Sequence, residues 1–295
     1  MLVQEYFKTR KDLLEEALDS FLPSENEEPK DLHAAMRYSV LSGGKRLRPI
    51  LFFAAYEMLN NRKNINRLNR LLPIACAIEL IHTASLIHDD LPSIDNSSER
   101  RGQPSCHVKF GVPTALLAGD ALITKAFEVL TELKSRDIAL NCIQILTRAV
   151  STRGMIGGQA VDILSVKKKI NINTLRYIHL KKTGALLQAA MELACAAYEA
   201  EENITITLGN YALNLGLAYQ IVDDILDEVG SFEILGKEPG EDSRNHKATY
   251  SSLIGLEKAK KTAEKLLRDS YNLIKNMKNN DVLLEFVNMI KDRLP

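Results

Sequence analysis

A chain of 295 residues, 45% hydrophobic and 26% charged, is ordinary globular material, long enough for one large domain or two smaller ones. Its 38 basic residues balance 38 acidic ones, so no basic excess points to nucleic acid and any anion must be met by local clusters. Cys76, Cys106, Cys142 and Cys195 lack metal-ligand spacing and read as reduced thiols of a cytoplasmic protein, and no apolar run is long and charge-free enough to span a bilayer.

In chain order, MLVQEYFKTRKDLLEEALDSFLP reads as an amphipathic helix of mixed charge rather than a signal or transit sequence. DLHAAMRYSVLS is a second helix, closed by SGGKRLRP (residues 42–49). PIACAIELIHTASLIHDD is apolar nearly all round and reads as a central helix that ends before Pro92. PTALLAGDALITKAFEVLTEL, IALNCIQILTRAVSTRGMIGGQAVDIL, NTLRYIHLKKTGALLQAAMELACAAYEA and ITLGNYALNLGLAYQIVDDILDEV repeat the three-and-four apolar spacing, and LEKAKKTAEKLLRDSYNLIKNM is a more polar surface helix. Breaks fall near 23–30, 60–66, 92–112, 166–173 and 228–248, and none has the composition of an interdomain linker. The pattern predicts an all-α fold, one domain over 1–295, with a weak echo of two opposed halves in the segments ending HDD and VDD.

Two acidic clusters interrupt the apolar helices. Asp223 and Asp227 are four apart on one helix face with Asp224 between them, where like charges repel. Asp89 and Asp90 fall on the last turn of a helix, whose C-terminus disfavours carboxylates, and Asp95 falls on the following loop. Either cluster taken singly is also compatible with a polar helix end or a surface turn. Together they point to hard divalent cations such as Mg2+, held by carboxylates, water and substrate phosphates.

Cations stand near these carboxylates. In SGGKRLRP the glycines permit an unusual turn from which Lys45, Arg46 and Arg48 can converge on a phosphate. Arg100 and Arg101 follow the first acidic cluster, so that one can neutralise a metal-bound diphosphate while its neighbour reaches a second anion. Lys182 and Thr183 are potential phosphate donors in an apolar helix, and Lys237 and Lys247 lie in a Gly-, Pro- and charge-rich loop that reads as a mobile lid. His82 is seven residues before Asp89, on roughly the same face. A diphosphate held by metals in an apolar pocket is a leaving group. If its carbon chain is allylic, departure leaves a carbocation that must be shielded from water, and a second diphosphate on a metal-free basic patch would hold an alkene beside it. Carbon–carbon bond formation follows, with released pyrophosphate as the base for the final proton loss.

The run GGKRLRP, HDDLPSIDNSSERRG, GMIGGQAVDI, KKTGALL, AYQIVDDILD and LGKEPGEDSRNHKATY, spread over about residues 43–250, resembles the trans-type short-chain polyprenyl diphosphate synthases. The resemblance implies the isoprenoid synthase fold, a large helical bundle around a central apolar cavity, a homodimer, and about three Mg2+ ions per site. It implies that Asp89, Asp90, Asp95, Asp223, Asp224 and Asp227 serve the metals, some through water. It further implies that Lys45, Arg48, His82 and Arg101 bind isopentenyl diphosphate and that Arg100, Lys182, Thr183, Gln220, Lys237 and Lys247 bind the allylic diphosphate. Gln159 and Asp162 of the GGQxxD motif would shape and support the pocket. Where many bacterial relatives read DNDDLRRG this chain reads DNSSERRG, losing two loop carboxylates outside the main metal set.

In the same family, side chains just before the first acidic motif set product length. Here they are Ser85 and Ala84, roughly 6 and 7.5 Å along the helix from Asp89. Both are small, which favours a geranylgeranyl over a farnesyl product. A terpene cyclase would not need the second basic set, and a non-catalytic partner subunit would be expected to lose acidic motifs that this chain keeps.

Overall fold

The three-and-four spacing of apolar residues produces helices almost throughout. The computed structural model describes residues 3–60, 65–229 and 248–295, which divide into two compact units. The first comprises residues 1–53 and 63–144, the second residues 54–62 and 145–295. The HDD segment belongs to the first unit and the VDD segment to the second. Among the described residues no helix is long and apolar enough to cross a membrane.

In the first unit, α1 (Val3–Phe21), α2 (Lys30–Leu41), the start of α3 (Leu47–Leu59) and the short α4 (Ile65–Asn69) precede α5 (Leu72–Asp89). Twelve of the eighteen residues of α5 are buried, as an all-round apolar helix requires. It is followed by α6 (Cys106–Phe110), α7 (Val112–Leu130) and the start of α8 (Arg136–Val150). α5 and α7 cross closely at Gly119, where a Cβ would come within 2.1 Å of His88 Nε2, so no larger residue fits there without moving the histidine. His88 Nε2 donates to the Leu116 carbonyl at 3.2 Å.

A helical reading misses one element of this unit. Glu99–Arg100 (β1) pairs antiparallel with Gln103–Pro104 (β2), joined by Arg101 and Gly102 at φ 56° and 72°. Two successive positive φ values are the signature of the tight hairpin turn whose twist suits antiparallel strands.

The second unit is built on α12 (Glu202–Val229). Before it come α9 (Met155–Ser165), α10 (Ile172–Ile178), a π-helical turn (His179–Gly184) and α11 (Ala185–Tyr198). After it come α13 (Tyr250–Ile254), α14 (Leu256–Ile274) and α15 (Asp281–Lys291). Local chemistry sets several boundaries. The Asn171 side chain caps α10 by accepting from the Thr174 N–H at 3.0 Å, and Thr249 and Ser252 form a reciprocal capping box on α13. α12 lies tightly on the π-helical turn, since a Cβ at Gly216 would stand 3.3 Å from Gly184 Cα. At its middle, the fully buried Tyr211 donates its hydroxyl to the Leu283 carbonyl at 2.6 Å, tying α12 to α15.

Candidate active site

The first acidic set forms where Pro92 ends α5. Asp89 is the last helical residue and Asp90 caps the helix, its N–H reaching the Leu86 carbonyl at 3.0 Å. The chain then doubles back, and the Asp95 N–H donates to the Asp89 carbonyl at 2.9 Å. This turn returns the Asp95 backbone to Asp89. Asp90 is buried, only 2% exposed, and its carboxylate is gripped by Arg100, whose Nε lies 3.1 and 3.2 Å from the two oxygens while Nη2 also closes on Oδ1. The hydrogen bonds that Arg100 donates to Asp90, with the charges of Asp90, Asp89 and Asp95, raise the Arg100 pKa above its ordinary value despite partial burial.

The hairpin turn sends Arg101 elsewhere. Its guanidinium lies against Gly44, where a Cβ would stand 3.0 Å from Cζ, and donates to Ser42 Oγ at 3.4 Å and to Glu79 at 3.4 Å. Burial first, and the charge of Arg46 with it, lowers its pKa despite the opposing pull of Glu79. Arg48 Nη1 donates to His82 Nε2 at 3.2 Å; arginine has no acceptor, so that ring nitrogen is the unprotonated one. Burial, then the positive charges of Arg48, Arg101, Arg46 and Arg100, holds the His82 pKa well below its ordinary value. Lys45 is exposed. Lys45, Arg48, His82 and Arg101 thus belong to one unit together with the GG turn.

Arg46 departs from the expectation that it meets a phosphate. It is 2% exposed and turned inward, with Nε and Nη2 on the two oxygens of Glu15 at 2.9 and 3.1 Å and Nη1 on Glu79 at 2.5 Å. Ala84 is fully buried, one turn before His88 on the side of α5 that meets α7. Ser85 lies nearer the Asp89 side, half-buried, with its hydroxyl donating to the His82 carbonyl at 2.8 Å.

The second unit carries the other set, and its three aspartates do different things. Asp223 accepts from Arg293 Nη2 at 2.6 Å, and Arg293 also stacks its guanidinium over the Tyr219 ring at 4.9 Å. Burial alone would lower the Arg293 pKa, and the charge of Asp223 leads the contributions that raise it. Asp224, 8% exposed, accepts from the Tyr250 N–H at 2.7 Å and from His179 Nε2 at 3.3 Å, and the His179 ring stacks on Tyr250 at 5.6 Å. Asp227 is 4% exposed.

Lys182 and Thr183 sit in the π-helical turn rather than in a regular helix. Such a turn bulges one residue out of register, and it is frequent at functional sites. It lies against α9 at Gly158, where a Cβ would be 2.2 Å from the Lys182 backbone nitrogen. Lys182 Nζ donates to Asp162 at 2.8 Å, and the Thr183 hydroxyl donates to Gln220 Oε1 at 3.0 Å. The GGQxxD motif therefore supplies, through Gly158 and Asp162, both the space and the counter-charge for Lys182. Gln159 is half-buried on the same helix. Lys237 and Lys247, and the loop read as a lid, lie outside the described residues.

Glu15, Glu79, His179, Tyr250 and Arg293 escaped the sequence reading. Glu79 did leave a signal: a carboxylate inside IACAIELIHTAS has no solvent and so must have a cation. The others depend on pairings 26 to 70 residues apart in sequence and leave no local trace.

The donor set is made of carboxylate oxygens, the ligand type of hard divalent cations. Among the described residues no three His, Cys, Asp or Glu side chains converge to hold an ion unaided.

Each unit thus carries helix-borne carboxylates, with Arg100 on the set of the first unit and the lysine-bearing π turn in the second. The chain belongs to the polyprenyl synthetase family, whose model matches residues 29–290. It is 42% identical to the geranylgeranyl diphosphate synthase of Cyanophora paradoxa over 90% of this chain and 87% of that one. It is 40% identical to the farnesyl diphosphate synthase of Geobacillus stearothermophilus, over 95% and 93%. Among solved structures, an apo FPP/GFPP synthase from Zymomonas mobilis superposes with a TM-score of 0.86 at 33% identity, covering 98% of both chains. The protein is a prenyltransferase of this family.

Proposed function

We propose that the protein condenses an allylic diphosphate with isopentenyl diphosphate and makes mainly geranylgeranyl diphosphate. The observation that carries the reading is the retention of both acidic sets together with two separate groups of cations. Arg100 with Lys182 and Thr183 serves the allylic diphosphate, and Lys45, Arg48, Arg101 and neutral His82 serve isopentenyl diphosphate. Both acidic sets serve the allylic leaving group. Mg2+, bound by Asp89, Asp90, Asp95, Asp223, Asp224 and Asp227 in part through water, would supply charge neutralisation on the departing diphosphate.

The chain's own groups do the rest. Lys182, held by Asp162, adds positive charge where negative charge grows on the leaving oxygen. The apolar helices exclude water from the allylic cation. Arg101 and its neighbours fix the second diphosphate so that the alkene carbon reaches the cation. One carbon–oxygen bond breaks, one carbon–carbon bond forms, and a proton leaves to the released pyrophosphate. As a family member the protein is expected to work as a homodimer in the cytoplasm.

Small Ala84 and Ser85 support a twenty-carbon product, with farnesyl diphosphate as the alternative. Relatives bearing each name stand at 42% and 40% identity, so overall similarity does not decide between them. The test is incubation with labelled isopentenyl diphosphate, Mg2+ and each allylic primer in turn, followed by chromatography. Elongated product is expected, chiefly of twenty carbons. Cyclised hydrocarbon would instead mark a cyclase, and absence of turnover a partner subunit.

A further inference from the structure

Arg46, next to the GG turn, has φ 50°. A left-handed backbone is costly for a residue with a long side chain, and it persists only where surroundings over-determine it. Here they do. The side chain is fully enclosed, forked onto Glu15 of α1, bonded to Glu79 of α5, and also donating to the Val40 carbonyl at the end of α2. Gly43 and Gly44 precede it at φ 87° and 126°. The turn is therefore pinned from below by Arg46, and Lys45 and Arg48 flank the pinned residue.

Glu79 does a second thing. Its Oε1 accepts from Arg46 and also from Arg101, which presses on Gly44 from the hairpin. One carboxylate, 1% exposed, thus joins the two segments that carry the isopentenyl-diphosphate cations, and it stands three residues before His82 on the same helix. Its other oxygen is buried without a hydrogen-bond partner, so a single atom carries both bonds. Glu15, by contrast, is hydrogen-bonded to Arg46 and acts on Arg101 only through its charge, the smallest of the influences on that guanidinium.

We propose that Glu79 is a positioning residue for isopentenyl diphosphate: it sets the orientation of Arg101 against the GG turn and so couples the hairpin to the Lys45–Arg48 segment. The inference rests on the proposed assignment of Arg101 and its neighbours to that substrate. Glu79 itself touches no substrate and acts through Arg101.

The test measures the KM for each substrate, kcat, and direct binding of isopentenyl diphosphate by titration, alongside thermal unfolding. Three variants are compared, Glu79→Gln, Glu15→Gln and Arg101→Ala. Glu79→Gln should raise the KM and Kd for isopentenyl diphosphate roughly 10- to 100-fold, the range of one charge-assisted hydrogen bond, and leave the allylic KM within about twofold. Glu15→Gln removes a carboxylate from the same Arg46 and should lower the unfolding temperature without that selective effect. Glu79→Asp keeps the charge one methylene short and should recover part of the affinity. It also serves as the test variant if the glutamine protein does not fold. A loss in Arg101→Ala without one in the Glu79 variants, or equal losses in Glu79→Gln and Glu15→Gln, overturns the role of Glu79. Unchanged binding in Arg101→Ala overturns the substrate assignment and this inference with it.

Discussion

Arg100 and Asp90 form a forked ion pair at the mouth of α5: Nε is 3.1 Å from one carboxylate oxygen, Nη2 closes on the other, and the aspartate is 2% exposed. A buried carboxylate without its cation is strongly disfavoured, but Arg100 is 40% exposed at its side chain, so water screens part of the pairing. Arg100→Ala should lower stability by about 1–2 kcal/mol and reduce kcat/KM for the allylic substrate by roughly 100-fold. Arg100→Lys, which keeps the charge and loses the fork, should fall between. Steady-state kinetics with thermal unfolding on the same preparations checks both, and wild-type kcat/KM in Arg100→Ala would remove Arg100 from the site.

Lys182 has its ammonium fixed by Asp162 at 2.8 Å from a neighbouring helix. Asp162→Asn keeps the shape and removes the charge. Both partners are about a quarter exposed, so the stability change should stay below about 1 kcal/mol. The kcat should fall roughly 10- to 100-fold, because an unanchored lysine spends less time at the leaving oxygen. An unchanged kcat would show that Lys182 needs no such anchor.

Much of this was legible locally. Asp89 and Asp90 on a last helical turn, the break before Pro92 and the helical phase of Asp223 and Asp227 all follow from spacing and proline chemistry, and the helices match. What the local pattern could not reveal is long-range pairing. Arg46 sits in a basic run that looks made for phosphate, yet two distant glutamates turn it inward. Asp224 looks equivalent to Asp223, yet Tyr250 and His179 occupy it while Arg293 takes Asp223. The π-helical turn under Lys182 is equally silent: it packs against Gly158 and Gly216, and a single-residue shift of hydrogen bonding leaves no mark in apolar spacing.

His82 is neutral in the folded protein because burial and four arginines oppose its protonation. The unfolded chain binds that proton below about pH 6.5 and the folded chain does not, so stability falls as pH drops through this range. The limiting slope is about 1.4 kcal/mol per pH unit from this residue alone. His82→Gln should flatten the decline in unfolding temperature between about pH 7 and pH 5. Parallel curves for the two proteins would place the acid sensitivity elsewhere.

Ala84 is fully buried on the α7 side of α5, whereas Ser85 is half-buried nearer Asp89. Ala84→Tyr should shorten the product from twenty to fifteen carbons or fewer, with an overpacking cost of about 1–3 kcal/mol. Ser85→Phe should shorten it with a smaller loss of stability. Product chromatography reads the outcome, and unchanged chain length in both variants would take the pocket floor away from this turn.

Titration of a non-ionising allylic diphosphate analogue, with and without Mg2+, into the wild-type protein, Asp89→Ala and Asp223→Ala tests most directly the proposal that both acidic sets serve one metal-bound allylic diphosphate. The expected result is tight binding that requires Mg2+ in the wild type and weakens at least about 100-fold in either variant. Wild-type affinity in Asp223→Ala, or binding indifferent to Mg2+, would contradict it.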